Sequence, residues 1–86
     1  MERVEGGSRL YAVTTSDSAD LTNGPCKGLY IGVAGDVKVT PAGAHKDAPE
    51  ASGVVLKAVP VGYLPFAVRR VWATGTAATD IVAVYP

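Results

Sequence analysis

The segment from Leu29 to Thr40 constrains the fold more than any other part of this chain. Residues that favour β-structure run from Leu29 to Val33, and apolar and polar residues alternate from Asp36 to Thr40. Alternation with a period of two is typical of a strand with one solvated face. Gly35, between the two runs, tolerates the positive φ that tight turns require. The segment therefore predicts a β protein with a hairpin turn at residues 34–36.

Further short β-like segments follow the same rule along the chain. They are separated by turns rich in Gly, Pro, Ser and Asp, and no segment of ten or more residues has a helical period. The pattern predicts an all-β fold of about six strands, a small antiparallel β-sandwich or barrel of jelly-roll type. The predicted strands cover residues 9–15, 26–33, 36–40, 54–59, 66–74 and 79–85. Residues 41–52 are predicted to form an exposed loop, and residues 60–65 a connector stiffened by prolines.

The 86 residues are enough for one domain, which we place at residues 9–86. Residues 1–8 include Gly6, Gly7 and Ser8 and are predicted to form a flexible N-terminal arm. With one Cys and one His, the chain cannot form an internal disulfide, and a structural zinc site or other cofactor is not expected. Small domains without such links often gain stability from oligomerisation. Association with other chains is therefore expected.

Charge and hydropathy argue against two classes of partner, nucleic acid and membranes. Eight basic and eight acidic residues give a net charge of zero, and no basic stripe points to nucleic acid. No run of 18 apolar residues and no apolar core of a signal peptide occurs, so we expect no membrane partner and synthesis in the cytoplasm.

The last two predicted strands, residues 66–74 and 79–85, carry apolar residues on both faces. In an isolated sandwich, one face of each strand is expected to be solvated and polar. A second apolar face predicts that a neighbouring subunit covers it.

Candidate catalytic and metal-binding residues are few. Cys26 and His45 are the one thiol and the one imidazole, a pair that a small hydrolase would use, but they fit better as a buried strand residue and an exposed loop residue. Asp17 and Asp20 would suit a Ca²⁺ or Mg²⁺ site, but their Ser-rich setting favours turn and capping hydrogen bonds. We therefore expect no catalytic residue, no bound metal and no enzymatic activity.

Two adjacent arginines, Arg69 and Arg70, are the most distinctive charged feature. Adjacent strand residues point to opposite faces, so the two are not expected to clamp one anion. Asp36 and Asp80 are the ion-pair partners proposed from the sequence. Arginine and aromatic residues are enriched in binding hot spots, and this chain has four such candidates for an interface: Tyr63, Phe66, Arg70 and Trp72.

Four segments, read in order, resemble the small head-spike base proteins of tailed phages and gene transfer agents. The resemblance covers the chain from about Thr14 to Tyr85, with a longer loop at residues 41–53 and larger side chains at Val61 and Tyr63. The segments that carry it are residues 15–21, 26–37, 59–66 and 68–79.

The resemblance implies a virion structural protein on the outer surface of a capsid, without catalytic residues. Its implied partners are the major capsid protein, copies of itself in a ring (a pentamer first, a trimer second) and a spike or fibre protein. One alternative is a trimeric cement protein that clamps neighbouring capsid subunits. A second alternative, from another class, is a carbohydrate-binding β module, which requires Tyr63 and Trp72 to be exposed on one face.

Overall fold

A computed structural model describes residues 9–86, and the arm predicted at residues 1–8 lies outside the described residues. The fold is a sandwich of two antiparallel sheets with four and three strands. The strands are β1 (Arg9–Ala12), β2 (Gly28–Val33), β3 (Gly35–Pro41), β4 (Val54–Val59), β5 (Gly62–Leu64), β6 (Val68–Val71) and β7 (Thr79–Tyr85), with a short 3₁₀ helix at Pro49–Ser52. The all-β sandwich predicted from the sequence is confirmed, with one strand more than predicted.

The four-stranded sheet has the order β1-β7-β2-β5, and the three-stranded sheet has the order β4-β3-β6. The last strand, β7, therefore lies between the first two, which places both ends of the described chain side by side. Arg9 pairs with Tyr85, and the Arg9 Nε atom donates a hydrogen bond to the Pro86 carbonyl at 3.1 Å. In the described part of the chain, no helix approaches the length and hydropathy of a bilayer-spanning segment.

The core lies between the two sheets and consists mostly of β-branched and small side chains. The four-stranded sheet contributes residues at alternate positions of β2 and β7, and the three-stranded sheet contributes valines. Leu29, Ile31, Val37, Val68 and Val71 are the largest of its fully buried apolar side chains. A core with so few large side chains stabilises the fold only modestly, because stabilisation follows the apolar area buried.

The predicted hairpin at residues 34–36 is wrong. β2 and β3 follow each other directly but belong to different sheets, so residue 34 is a corner between sheets. The backbone passes close to the start of β7 here, and a Cβ atom on Gly35 would lie 2.8 Å from the Ala78 nitrogen. Gly35 is therefore required for a close backbone approach and not for a two-residue turn.

Strand limits also differ from the prediction. β1 ends at Ala12 and not at residue 15, and β6 is limited to four residues, so Phe66 and Trp72 lie outside it. The extra strand, β5, lies within the segment predicted as a connector, where Tyr63 pairs with Tyr30 of β2. Prolines at 60 and 65 flank this strand without removing any of its own amide donors.

The predicted exposed loop at residues 41–52 packs partly against the sandwich. The Ala42 nitrogen donates a hydrogen bond to the Ala67 carbonyl at 3.0 Å, and Ala44 is buried. The Arg69 guanidinium donates to the carbonyl of Ala44. His45, Lys46 and Asp47 remain exposed, as predicted.

Candidate interaction surfaces

The outer side of the four-stranded sheet is mostly apolar; the acidic side chain of Asp80 lies toward one end of it, opposite Gly32 in the row beyond Val82. Residues that pair across adjacent strands point to the same face of the sheet. One row of paired residues is Leu10, Val84 and Gly28, and the next row is Ala12, Val82, Tyr30 and Tyr63. The inner face is formed by the alternate residues, such as Leu29 and Ala83, which are buried. We call the outer set the apolar face; it consists of Leu10, Ala12, Gly28, Tyr30, Tyr63, Val82 and Val84.

The two tyrosines of the apolar face differ in what they contact. Tyr30 and Tyr63 are 45% and 48% exposed, respectively. A Cβ atom on Gly28 would lie within 2.6 Å of the Tyr63 ring carbons Cε1 and Cζ, so this ring lies flat across the glycine backbone. Gly28 is buried as a result. The absence of a side chain at Gly28 thus lets Tyr63 cover the sheet, and Tyr30 and Leu10 are left projecting.

A second apolar surface opens between β4 and the chain that leads into β6. It is a cavity of about 380 Å³, open to solvent, where the inner side of the three-stranded sheet is incompletely covered. Phe66, at its rim, is 53% exposed, and Val54, on β4, is 39% exposed. We call this surface the groove; it is lined chiefly by Val39, Pro41, Val54, Leu56, Phe66 and Val68.

The outer side of the three-stranded sheet, by contrast, is covered in part by the chain itself. The Trp72 Nε1 atom donates a hydrogen bond to Thr40 Oγ1 at 2.9 Å, and Thr40 is buried. The Lys38 ammonium lies 4.5 Å and the Arg70 guanidinium carbon 5.0 Å from the Trp72 ring centroid. Both are cation–π distances. Trp72 therefore holds this side of the sandwich together.

Arg69 and Arg70 meet the same carboxylate, contrary to the prediction that they diverge. Arg70 Nε lies 2.9 Å from Asp20 Oδ1, and Arg69 Nε lies 3.9 Å from Asp20 Oδ2. The cause is a β-bulge, because Arg70 pairs with Thr40 but Val68 pairs with the next residue, Pro41. Arg69 is the extra residue and breaks the alternation. Asp20, and neither Asp36 nor Asp80, pairs with these arginines.

Asp36 stabilises a second bulge, in β4. Its Oδ1 atom accepts a hydrogen bond of 2.8 Å from the Ala58 nitrogen, and its Oδ2 atom lies 3.3 Å from Lys57 Nζ. Ala58 has a φ of 51°, in the left-handed region that non-glycine residues rarely adopt. The Ala58 N–H and then the Lys57 ammonium hold the pKa of Asp36 below its ordinary value of 3.8.

Asp17 also has a structural role. Its carboxylate accepts hydrogen bonds from the Thr74 hydroxyl at 2.6 Å and from the Thr74 nitrogen at 2.8 Å. These bonds, the hydroxyl first, lower the pKa of Asp17 from 3.8. Within residues 9–86, no group of three His, Cys, Asp or Glu side chains is arranged to hold a metal ion.

Cys26 and His45 are placed very differently. The Cys26 side chain is 2% exposed and packs in the core, where it acts as a small apolar group. His45 is exposed in the loop before the 3₁₀ helix. A buried thiol and a solvated imidazole do not provide an accessible nucleophile with its base.

The four residues predicted for an interface do not form one patch. Tyr63 belongs to the apolar face and Phe66 to the groove, whereas Arg70 and Trp72 make contacts within the subunit. Their role in an interface stays a prediction. Leu10 and Tyr30 were not among the candidates named from the sequence. For Tyr30 a signal existed, because it alternates with the core residues Leu29 and Ile31; β1, which carries Leu10, is exposed throughout.

Comparison with known proteins gives a structural likeness. No family model and no curated protein matches this chain. The chain is similar to one in a solved structure described as the capsid of a native gene transfer agent (GTA) particle computed with C5 symmetry.

The two chains are 28% identical and superpose with a TM-score of 0.72. The likeness covers 91% of this chain and 82% of the other. It thus extends over nearly the whole chain.

Proposed function

We propose that this protein is a structural component of a phage-like or gene transfer agent capsid. It acts as a head-spike base on the outer capsid surface and functions by binding without catalysis. The observation that carries the proposal is the likeness over 91% of the chain to a chain of a gene transfer agent capsid. The resemblance of the chain from about Thr14 to Tyr85 to head-spike base proteins supports the more specific role.

The surface of the subunit supports an assembly role. The apolar face exposes Leu10, Tyr30 and Tyr63 along one sheet, and the charged side chain of Asp80 lies beyond it, toward one end of β7. A contiguous apolar patch of a few hundred Å² is often a functional binding surface. A net charge of zero also keeps the repulsion between closely packed copies small.

The related particle was computed with C5 symmetry, and we take a ring of five copies at a capsid vertex as the favoured arrangement. One side of the ring would contact the major capsid protein, and the other would carry a spike or fibre protein. Several weak contacts made at once by a symmetric ring give firm attachment even where each contact is weak.

The carbohydrate-binding alternative requires aromatic side chains grouped on one face. Trp72 instead donates a hydrogen bond to buried Thr40 on the three-stranded sheet, whereas Tyr63 lies on the four-stranded sheet. The two aromatics therefore do not form a common sugar-binding platform. The trimeric cement protein differs from the proposal in its position on the capsid, which an image can distinguish.

The proposal is tested by imaging capsids produced without this chain, before and after incubation with the purified protein. We expect added density on the outer surface at the five-fold vertices. A protein that does not sediment with the capsids would contradict the capsid role, and density at three-fold positions would favour the cement protein. Capsids treated with a variant whose apolar face carries charges, Leu10→Glu with Tyr30→Glu, serve as the control.

A further inference from the structure

We propose that copies of this chain associate head to tail, with the apolar face of one subunit packed against the groove of the next. The inference rests on the proposed function, because it specifies how the subunits of the capsid-surface ring would contact one another. It commits both apolar surfaces to one kind of occupant, a second copy of the chain.

The area of the apolar face argues against its pairing with itself. The four strands contain 20 residues in total. Strands lie about 4.8 Å apart and rise about 3.4 Å per residue, so this sheet covers roughly 330 Å². A two-fold contact through this face would bury roughly 650 Å² in total, which is in the range of crystal-packing contacts. A stable assembly therefore needs a further contact on each subunit.

Ring symmetry requires that contact to be of a different kind. A two-fold interface uses the same patch on both subunits and closes as a dimer, whereas a ring of three or more subunits requires two different, complementary patches. The apolar face and the groove are two such patches: one lies on the outer side of the four-stranded sheet, and the other opens toward the inner side of the three-stranded sheet.

The chemistry and shape of the two surfaces are compatible. Leu10 is 65% exposed and projects from the apolar face, and the groove is a concave space of about 380 Å³ lined by apolar side chains. None of the residues that define either surface is charged. Asp80, in the next row on the same side of the sheet, must stay at the solvated edge of the contact, because burial of its carboxylate would be costly. A projecting apolar side chain in an apolar recess also resembles the packing found at the centre of stable interfaces.

Complementary variants test the head-to-tail arrangement. Leu10→Glu places a charge on the apolar face, and Val54→Glu places one in the groove. Val55→Glu is the matched control, because Val55 is next to Val54 on β4 and similarly exposed, at 41% against 39%, but its side chain points to the outer side of the sheet. Association is measured by native mass spectrometry and sedimentation, with one partner isotopically labelled.

We expect the wild-type chain and Val55→Glu to form oligomers, and each of the other two variants to be monomeric. An equimolar mixture of Leu10→Glu and Val54→Glu should form a dimer with one copy of each, since the first keeps its groove and the second keeps its face. Circular dichroism checks that each variant is folded, and Tyr30→Ser and Phe66→Ser replace any variant that does not fold.

Four results would overturn the inference. Two concern single variants: Val54→Glu that associates like the wild type, or Val55→Glu that loses association as fully as Val54→Glu. The other two are a mixture that gives no heterodimer and a wild-type chain that is monomeric at about 1 mM, a concentration at which even very weak contacts are populated. A wild-type chain that stays monomeric but still binds capsids would refute this inference and leave the proposed function intact.

Discussion

Trp72 is anchored to Thr40 by a hydrogen bond of 2.9 Å between the indole Nε1–H and the threonine Oγ1 atom. The same hydroxyl donates to the carbonyl of Ala51, in the 3₁₀ helix, at 3.3 Å. One buried hydroxyl therefore connects β3, the residue after β6 and the loop that covers the sheet. This relationship explains why the single tryptophan of the chain contributes to the fold more directly than to a binding surface.

Replacement of this hydroxyl should destabilise the domain. Thr40→Val keeps the side-chain shape but leaves the Trp72 indole without its acceptor, which we expect to lower the free energy of unfolding by about 1–3 kcal/mol. Chemical denaturation monitored by Trp72 fluorescence measures the change. Thr79→Val, at an exposed strand position, should change it by less than about 0.5 kcal/mol. Equal effects of the two substitutions would show that the buried hydrogen bond is not important.

Addition of a methyl group at Gly28 should displace Tyr63 from the apolar face. The new Cβ atom would lie 2.4 Å from the Tyr63 hydroxyl oxygen, so the ring must move. Overpacking of this kind lowers the free energy of unfolding by about 1–3 kcal/mol. Because the exposed Tyr63 ring can swing outward, we expect a loss near the lower limit.

A double-mutant cycle measures this contact. Gly28→Ala should cost much less in a Tyr63→Ala background, where the ring is absent. Gly43→Ala is the control, because a Cβ atom there has no neighbour within 4 Å. If Gly28→Ala cost the same with and without the Tyr63 ring, the proposed contact would be refuted.

The ion pairs of Asp20 should contribute little to stability. The Asp20 side chain is 50% exposed, and those of Arg69 and Arg70 are 26% and 22% exposed. Because solvent screens such pairs, Asp20→Asn should lower the free energy of unfolding by less than about 1 kcal/mol.

The difference should shrink when denaturation is repeated in about 1 M salt, where the Debye length is about 3 Å. Asp47→Asn, at an exposed loop position, is the control for the removal of one negative charge from the protein. A loss that is large and independent of salt would mean that the bulged arginines depend on Asp20 for their conformation.

Acid should weaken the fold through Asp17 and Asp36. Both have pKa values in the folded state below the ordinary 3.8, so the folded state binds fewer protons than the unfolded state in this range. Their contribution to stability is therefore present above pH 3.8 and is lost as the pH falls through the lowered values. Denaturation measured across this range should show a smaller acid dependence for Asp17→Asn and Asp36→Asn than for the wild type or Asp47→Asn.

Alkali should weaken the fold through Tyr85, whose contribution to stability is lost as the pH rises and not as it falls. Burial raises the pKa of Tyr85 above 10.0, and its hydroxyl donates to the Gly24 carbonyl at 2.8 Å. The neutral phenol is thus favoured in the folded state, and the stability it contributes is present below pH 10 and lost as the pH rises through the raised pKa. Tyr85→Phe should remove this alkaline dependence in the same denaturation series; an unchanged dependence would assign it to another group.

The sequence by itself determined the all-β class and most of the strands. It also determined that apolar residues would remain on the outside of at least one sheet, because alternation and residue type are local properties that a strand of either sheet must satisfy. The outward position of Tyr30 follows from this local pattern. The segments that carry the family resemblance were likewise readable without coordinates.

Only the tertiary structure decided which strands are partners. Residue 34 joins two sheets where a hairpin was expected, β5 forms because Tyr30 offers it a partner, and a bulge turns Arg69 and Arg70 toward one carboxylate. Strand pairing and bulges depend on residues far apart in the chain, and a period of two contains no information about them. For the same reason the groove, which exists where one sheet fails to cover the other, had no signature in the sequence.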